Sequence, residues 1–149
     1  MPGFRTFEEI EAWQTARQLV RAVYEASGGN AFARDFGLRD QIRRGAVSIM
    51  ANIAEGFGRG GNREFVQFLA VAKGSTHEVI SHLYVALDQG YVSQAQFDAL
   101  SAQARQVGRI TGGLMEYLRK SPLKGPRHRP EEEPAPSGEP PQAPAHRGP

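Results

Sequence analysis

The chain has 149 residues, with 18 lysines and arginines, 16 aspartates and glutamates, and no cysteine. The lack of cysteine excludes disulfides and thiol catalysis, and a net charge of +2 is far from the dense basic charge of a strong nucleic-acid binder. Nine of the ten prolines lie between Pro122 and Pro149, so residues 3–121 contain none. Because proline breaks helix interiors and central strands, this stretch favours a helical body followed by a tail.

The same composition predicts one domain, residues 1–121, and a disordered Pro/Glu-rich tail, residues 122–149. About 120 residues are enough for one domain with its own core, and proline-rich charged segments are typical of disorder. No uncharged stretch approaches the roughly 20 apolar residues of a membrane helix. The N-terminus also lacks a signal-peptide pattern. We therefore expect a soluble, cytoplasmic protein without a membrane partner.

The first predicted helix starts at a capping-box spacing, Thr6 with Glu9, and ends before the glycine pair at 28–29. Apolar residues recur in it every three or four positions, at Ile10, Trp13, Ala16, Val20, Val23 and Tyr24. This spacing predicts an amphipathic helix of about five turns.

The second predicted helix runs from near Asp35 to Gly56 and has three distinct surfaces. Its core surface contains Leu38, Ile42, Ala46, Ile49 and Ile53. A polar stripe contains Arg44, Ser48, Asn52 and Glu55, and a small-residue strip contains Val47, Ala51 and Ala54. One core needs only one apolar surface, so we expect a neighbouring helix or another subunit to cover the small-residue strip.

Two further helices complete the pattern. The third is predicted to begin after Gly60-Gly61-Asn62 and is apolar over a wide arc. The fourth begins at a capping box, Ser93 with Gln96, and keeps a strict spacing of three and four residues up to Leu118. No segment alternates with the period of a strand. The sequence therefore predicts an all-α protein, an antiparallel up-down four-helix bundle.

Two motifs resemble functional sites without meeting their requirements. Gly56 to Gly61 matches G-x-G-x-x-G, but a helix precedes it, whereas the dinucleotide fingerprint follows a strand. The loop can still receive a phosphate of a polynucleotide at the next helix start. His77 and His82 are five residues apart and point about 140° away from each other, so they cannot share a zinc ion. We predict no catalytic residue, metal, cofactor or small-molecule substrate.

The second and third predicted helices carry a recognisable signature. The stretch from Gly37 to Arg59, with Asn52-Ile53-Ala54-Glu55-Gly56 at its centre, and the following Gly74-Ser75-x-x-Glu78 resemble the four-helix-bundle proteins of 23S rRNA intervening sequences. The likeness extends over about residues 4–120. The same family includes Avd, the accessory variability determinant of diversity-generating retroelements.

This resemblance implies a homopentameric barrel and, for the Avd branch, interaction with a reverse transcriptase and RNA. It also implies a structural or interface role for the motif residues, which are Arg44, Ser48, Asn52, Glu55, Gly56, Gly74, Ser75 and Glu78.

Our first hypothesis is a non-enzymatic oligomeric adaptor that binds RNA, DNA or a nucleic-acid enzyme. Residues 34–73 contain seven lysines and arginines against four acids. The candidate phosphate contacts among them are Arg39, Arg43, Arg59, Arg63 and Lys73. Fivefold repetition would strengthen a weak basic patch. The alternatives are a protein-interaction scaffold that binds no nucleic acid, or an enzyme whose site forms between subunits.

Overall fold

A computed structural model describes residues 3–121, so the predicted tail at 122–149 lies outside the described residues. A 3₁₀ turn at Phe7–Glu9 precedes five helices, and no strand occurs within residues 3–121. The helices are α1 (Glu11–Ala26), α2 (Asn30–Arg34), α3 (Phe36–Gly58), α4 (Asn62–Asp88) and α5 (Gln94–Lys120).

The four long helices form the bundle. α3 packs against α4, α4 packs against α5, and α1 lies against both α3 and α5. Short connections join successive long helices, as in an up-down topology. The predicted all-α class and four-helix bundle are thus confirmed, and the predicted helices correspond to α1, α3, α4 and α5.

The core is made of apolar residues from all four long helices. Four of the five predicted core residues of α3, Ile42, Ala46, Ile49 and Ile53, are buried, and Leu38 is half-buried. Burial of such side chains stabilises the fold by about 1.5–3 kcal/mol each. The periodicity therefore located the core surface of this helix.

The short helix α2 was not predicted, and it closes one end of the bundle. Its Phe32 is buried and stacks on Tyr91, with 5.3 Å between ring centroids. The Tyr91 hydroxyl donates a hydrogen bond of 2.9 Å to Asp35 Oδ2, and Asp35 Oδ1 accepts from the backbone nitrogen of Leu38 at 3.1 Å. The hydrogen bond to Asp35 raises the pKa of Tyr91 above its ordinary value, with smaller contributions from desolvation and the charge of Asp35. Asp35 thus links the start of α3 to the α4–α5 connection.

The two predicted capping boxes have different outcomes. Ser93 Oγ accepts from the backbone nitrogen of Gln96 at 3.1 Å, and Gln96 Oε1 accepts from that of Ser93 at 2.8 Å, which confirms the cap of α5. The box at Thr6 is wrong, because the side chain of Thr6 forms no capping bond. Extended backbone at Ile10 separates the 3₁₀ turn from α1, which begins at Glu11.

Gly56 is where α3 and α4 approach most demandingly. A Cβ atom at this position would lie 2.6 Å from Phe68 Cβ and 3.0 Å from Phe65 Cδ1. Neither neighbour can move cheaply, since Phe65 is fully buried and the near atom of Phe68 is attached to the backbone. The two helices can therefore keep this separation only with glycine at position 56.

We predict that Gly56→Ala lowers the free energy of unfolding by about 1–3 kcal/mol, because the added methyl group overpacks the seam. Urea denaturation followed by circular dichroism measures the change. Gly113→Ala is the control, since its Cβ would meet open space and should raise stability by up to about 1 kcal/mol. Equal stability of the two variants would contradict the steric explanation.

Candidate functional site

The five cations predicted to contact phosphates do not lie together in one copy of the protein. Arg39 and Arg43 lie in the first half of α3, whereas Arg59 and Arg63 lie at its connection to α4. Twenty residues separate Arg39 from Arg59, which corresponds to about 30 Å of helix. Lys73 lies farther along α4, beside α5. They are therefore three separate sites.

Arg43 connects α3 to the end of α1. Its Nε donates a hydrogen bond of 2.8 Å to Ser27 Oγ, and its Nη2 donates one of 3.4 Å to the carbonyl oxygen of Tyr24. The guanidinium also lies 4.4 Å from the ring centroid of Tyr24. A cation here stabilises the carbonyl end of α1. The described contacts of Arg43 are thus structural.

Arg39 and Arg59 also have partners within the chain. Arg39 contacts the carbonyl oxygen of Ala33 and the carboxylate of Asp40, each at 3.1 Å. Arg59 donates to Glu55 at 2.9 Å, and this hydrogen bond raises the pKa of Arg59 above its ordinary value. Such exposed ion pairs contribute little to stability, but they partly neutralise the charge that a ligand would meet.

Arg63 and Lys73 differ from the other three cations. Both side chains are exposed, and neither forms an ion pair with any residue of the described range 3–121. Their charge is therefore available to an anion. Of the five predicted contacts, these two are the least committed to the fold.

The polar stripe of α3 is divided between the α3–α4 seam and the surface. Ser48 Oγ lies 3.3 Å from Ser75 Oγ on α4, and Asn52 Nδ2 donates to the backbone oxygen and to Oγ of Ser48 at 2.8 and 3.0 Å. By contrast, Arg44 and Glu78 are exposed. The serines and Asn52 thus stabilise the seam, whereas Arg44 and Glu78 face outward.

Beside this seam, α3 and α4 share a surface that we call the outer face. On α3 it consists of Arg44, Val47, Ala51, Ala54 and Gly58, and on α4 of Val71, Gly74, Glu78, Ser81 and Val85. All are exposed except Ala54, which is half-buried. No helix within residues 3–121 covers the small-residue strip, so the expectation of a covering helix in the same chain is wrong.

A groove lies on the other side of α4, against α5. Its volume is about 540 Å³, and it is lined by Lys73, Thr76, His77, Ile80, Arg105, Gly108, Arg109 and Gly112. Sequence reasoning missed Arg105 and Arg109, because it weighed clusters of cations and not the absence of acids around them. The available signal was that no acidic residue occurs between Asp98 and Glu116.

Metal and membrane sites were also considered. His77 is exposed, with Nδ1 3.2 Å from the carbonyl oxygen of Lys73, whereas His82 is half-buried. No group of three or more histidines, cysteines, aspartates or glutamates within residues 3–121 is arranged to hold a metal ion. None of the helices in this range is long and apolar enough to cross a membrane.

The pattern of the 23S rRNA-intervening sequence protein family matches residues 8–113 of the chain. The chain belongs to this family. The predicted family resemblance is thereby confirmed, and it spans the seam, the outer face and the groove. Nothing in this match assigns a biochemical activity.

A solved structure shares the fold of this 23S rRNA-intervening sequence protein. It is a protein of unknown function from the S23 ribosomal protein family of Bacteroides thetaiotaomicron, with a TM-score of 0.64 and 17% sequence identity. The similarity covers 70% of this chain and 98% of that one. At this identity the likeness establishes the fold alone. None of the curated proteins matches the sequence.

For Arg43 we predict a structural effect. Arg43→Met should lower the free energy of unfolding by about 1–3 kcal/mol, because the hydrogen bonds of a charged donor are lost while most of the aliphatic packing is kept. Urea denaturation measures this loss. Arg21→Met, at an exposed position of α1, should stay within about 0.5 kcal/mol of the wild type. An unchanged stability of Arg43→Met would show that the link to α1 is dispensable.

Proposed function

We propose that the protein is a non-enzymatic homo-oligomeric adaptor that binds nucleic acid. The observation that carries this proposal is the outer face, which presents a second helix-packing surface on a bundle whose core is already complete. The family resemblance favours five copies in a ring. For the Avd branch it also makes a reverse transcriptase and its RNA the candidate partners.

The spacing of the outer face supports assembly. Its residues follow intervals of three and four on both helices, which is the pattern that packs against another helix. Val47, Val71 and Val85 are 39%, 54% and 44% exposed. Small side chains between them allow a close approach. A second copy would cover these valines and remove apolar surface from water.

The charges of the outer face favour a specific contact over unspecific aggregation. Arg44 and Glu78 have opposite charges, and neither forms an ion pair with another residue of the range 3–121. Across an interface between copies they can pair and so define the register of the contact. A ring formed in this way repeats the same heterologous contact.

Assembly is also what makes nucleic-acid binding plausible for a weakly basic chain. One copy has a net charge of only +2 and three separate groups of cations. Five linked copies would multiply each group, and simultaneous contacts with one polynucleotide raise the overall affinity. Arg63 and Lys73, which have unpaired side chains, are the first candidates for these contacts.

Light scattering should show a mass several times the 16.3 kDa of one chain. We predict that Ala51→Glu reduces this mass to that of one copy, because it places a charge in the centre of the outer face. Ala102→Glu, at an exposed position of α5, adds the same charge elsewhere and should leave the assembly intact. A monomeric wild type at micromolar concentration would contradict the proposed assembly.

RNA and DNA retention measured against salt tests the second part of the proposal. Arg59→Gln with Arg63→Gln should weaken binding and make the salt dependence shallower, by about 0.7 for each lost contact with a single strand. Arg21→Gln with Arg34→Gln removes the same charge from exposed positions away from the candidate contacts. Equal weakening by both pairs would mean a general charge effect. If the wild type assembles but retains no nucleic acid at low salt, the scaffold alternative replaces this proposal.

A further inference from the structure

We propose that the groove between α4 and α5 binds single-stranded nucleic acid. Lys73, Arg105 and Arg109 would contact phosphates, and Tyr84 would stack on a base. This inference rests on the proposed nucleic-acid-binding function and assigns it a site and a class of ligand. Two of the three cations, Arg105 and Arg109, lie outside the signature motifs of α3 and α4.

The charge of the groove is not neutralised by the chain. The facing segments, residues 65–77 of α4 and 99–115 of α5, contain no aspartate or glutamate. Lys73, Arg105 and Arg109 form no ion pair within residues 3–121. At the end of α5, by contrast, Glu116 pairs with both Arg119 and Lys120. The groove is therefore a place where exposed cations gather without counter-charges.

Two glycines of α5 give the groove its depth. A Cβ atom at Gly108 would lie 3.2 Å from Thr76 Oγ1, and one at Gly112 would lie 3.4 Å from Lys73 Nζ. The side chain of Lys73 therefore lies across α5 where no side chain rises to meet it. The volume of about 540 Å³ is within the range of ligand-binding clefts. A phosphate can approach the helix backbone there, close to the ammonium group.

An exposed aromatic ring continues the same surface of α4. Lys73, His77, Ile80 and Tyr84 are spaced by four, three and four residues, so their side chains lie on one face. Tyr84 is 50% exposed, and Phe97 supports its ring at a centroid distance of 4.7 Å. About 16 Å of helix separates Lys73 from Tyr84. Cations followed by an aromatic platform are typical of grooves that hold single strands, because a duplex has no free base to stack.

The groove stays open when the outer face is covered. On α4 the groove residues, such as Lys73 and His77, lie about 120° around the helix from the centre of the outer-face residues. Contacts between copies through the outer face would therefore leave one groove available per copy. A single strand could then pass from the groove of one copy to that of another, which would multiply a weak contact.

Fluorescence anisotropy tests the groove with labelled oligouridylate and oligothymidylate of about ten nucleotides, within the site size of single-strand grooves. A hairpin duplex with the same number of phosphates is the comparison ligand. Arg105→Gln with Arg109→Gln should weaken single-strand binding at least about tenfold at low salt and make its salt dependence shallower. Arg21→Gln with Arg34→Gln is the matched control and should bind within about twofold of the wild type. Circular dichroism and light scattering verify fold and assembly of each variant.

Tyr84 separates stacking from charge. Tyr84→Ala should weaken single-strand binding about tenfold without changing the salt dependence, because a stacked base is lost and no charge is removed. Tyr84→Phe keeps the ring and should bind like the wild type. Hairpin binding should respond to neither substitution.

The outcomes distinguish this inference from the proposed function. If the wild type binds neither oligonucleotide nor hairpin at low salt, the nucleic-acid function and the groove fail together. If it binds but the Arg105 and Arg109 variant equals the matched control, the groove is wrong while the function stands. Equal or stronger binding of the hairpin would overturn the preference for single strands.

Discussion

The close packing of α3 against α4 is the constraint on which the other surfaces depend. Gly56 lies under Phe68 without room for a methyl group, and a Cβ atom at Gly45 would lie 3.4 Å from Val79 Cγ2. Between these two points the hydroxyls of Ser48 and Ser75 are within 3.3 Å. Small residues on α3 thus let the helices approach along most of their length, and this approach sets their rotation. The rotation then decides which residues of each helix remain at the surface.

That rotation places two different surfaces on opposite sides of α4. The outer face lies beside the seam with α3 and is small-residued, with few charges, whereas the groove lies beside α5 and contains cations without nearby acids. A surface of the first kind suits contact between copies, because little charge has to be desolvated. A surface of the second kind suits a polyanion, because counterions are released when phosphates replace them. The proposed assembly and the proposed binding site can therefore operate together.

Much of the fold could be predicted, because helix periodicity and capping are local properties. The four long helices, the core surface of α3 and the cap at Ser93 required only residues close in sequence. The errors were local as well. Thr6 and Glu9 have the spacing of a capping box, but extended backbone at Ile10 ends the turn before α1 begins. The five residues of α2 are too few to show a period, and Phe32 is buried only because Tyr91 stacks on it.

The sequence by itself determined the helices, the bundle and the family, since apolar residues repeating at helical spacing and a signature within two adjacent helices leave few alternatives. Only the tertiary structure decided which cations are available to a ligand. Arg43 is held by Ser27, sixteen residues away on another helix, whereas Arg105 and Arg109 meet Lys73 across a groove free of carboxylates. The physical reason is that the pairing of a charge depends on side chains brought together from distant parts of the chain, and no local pattern contains that information.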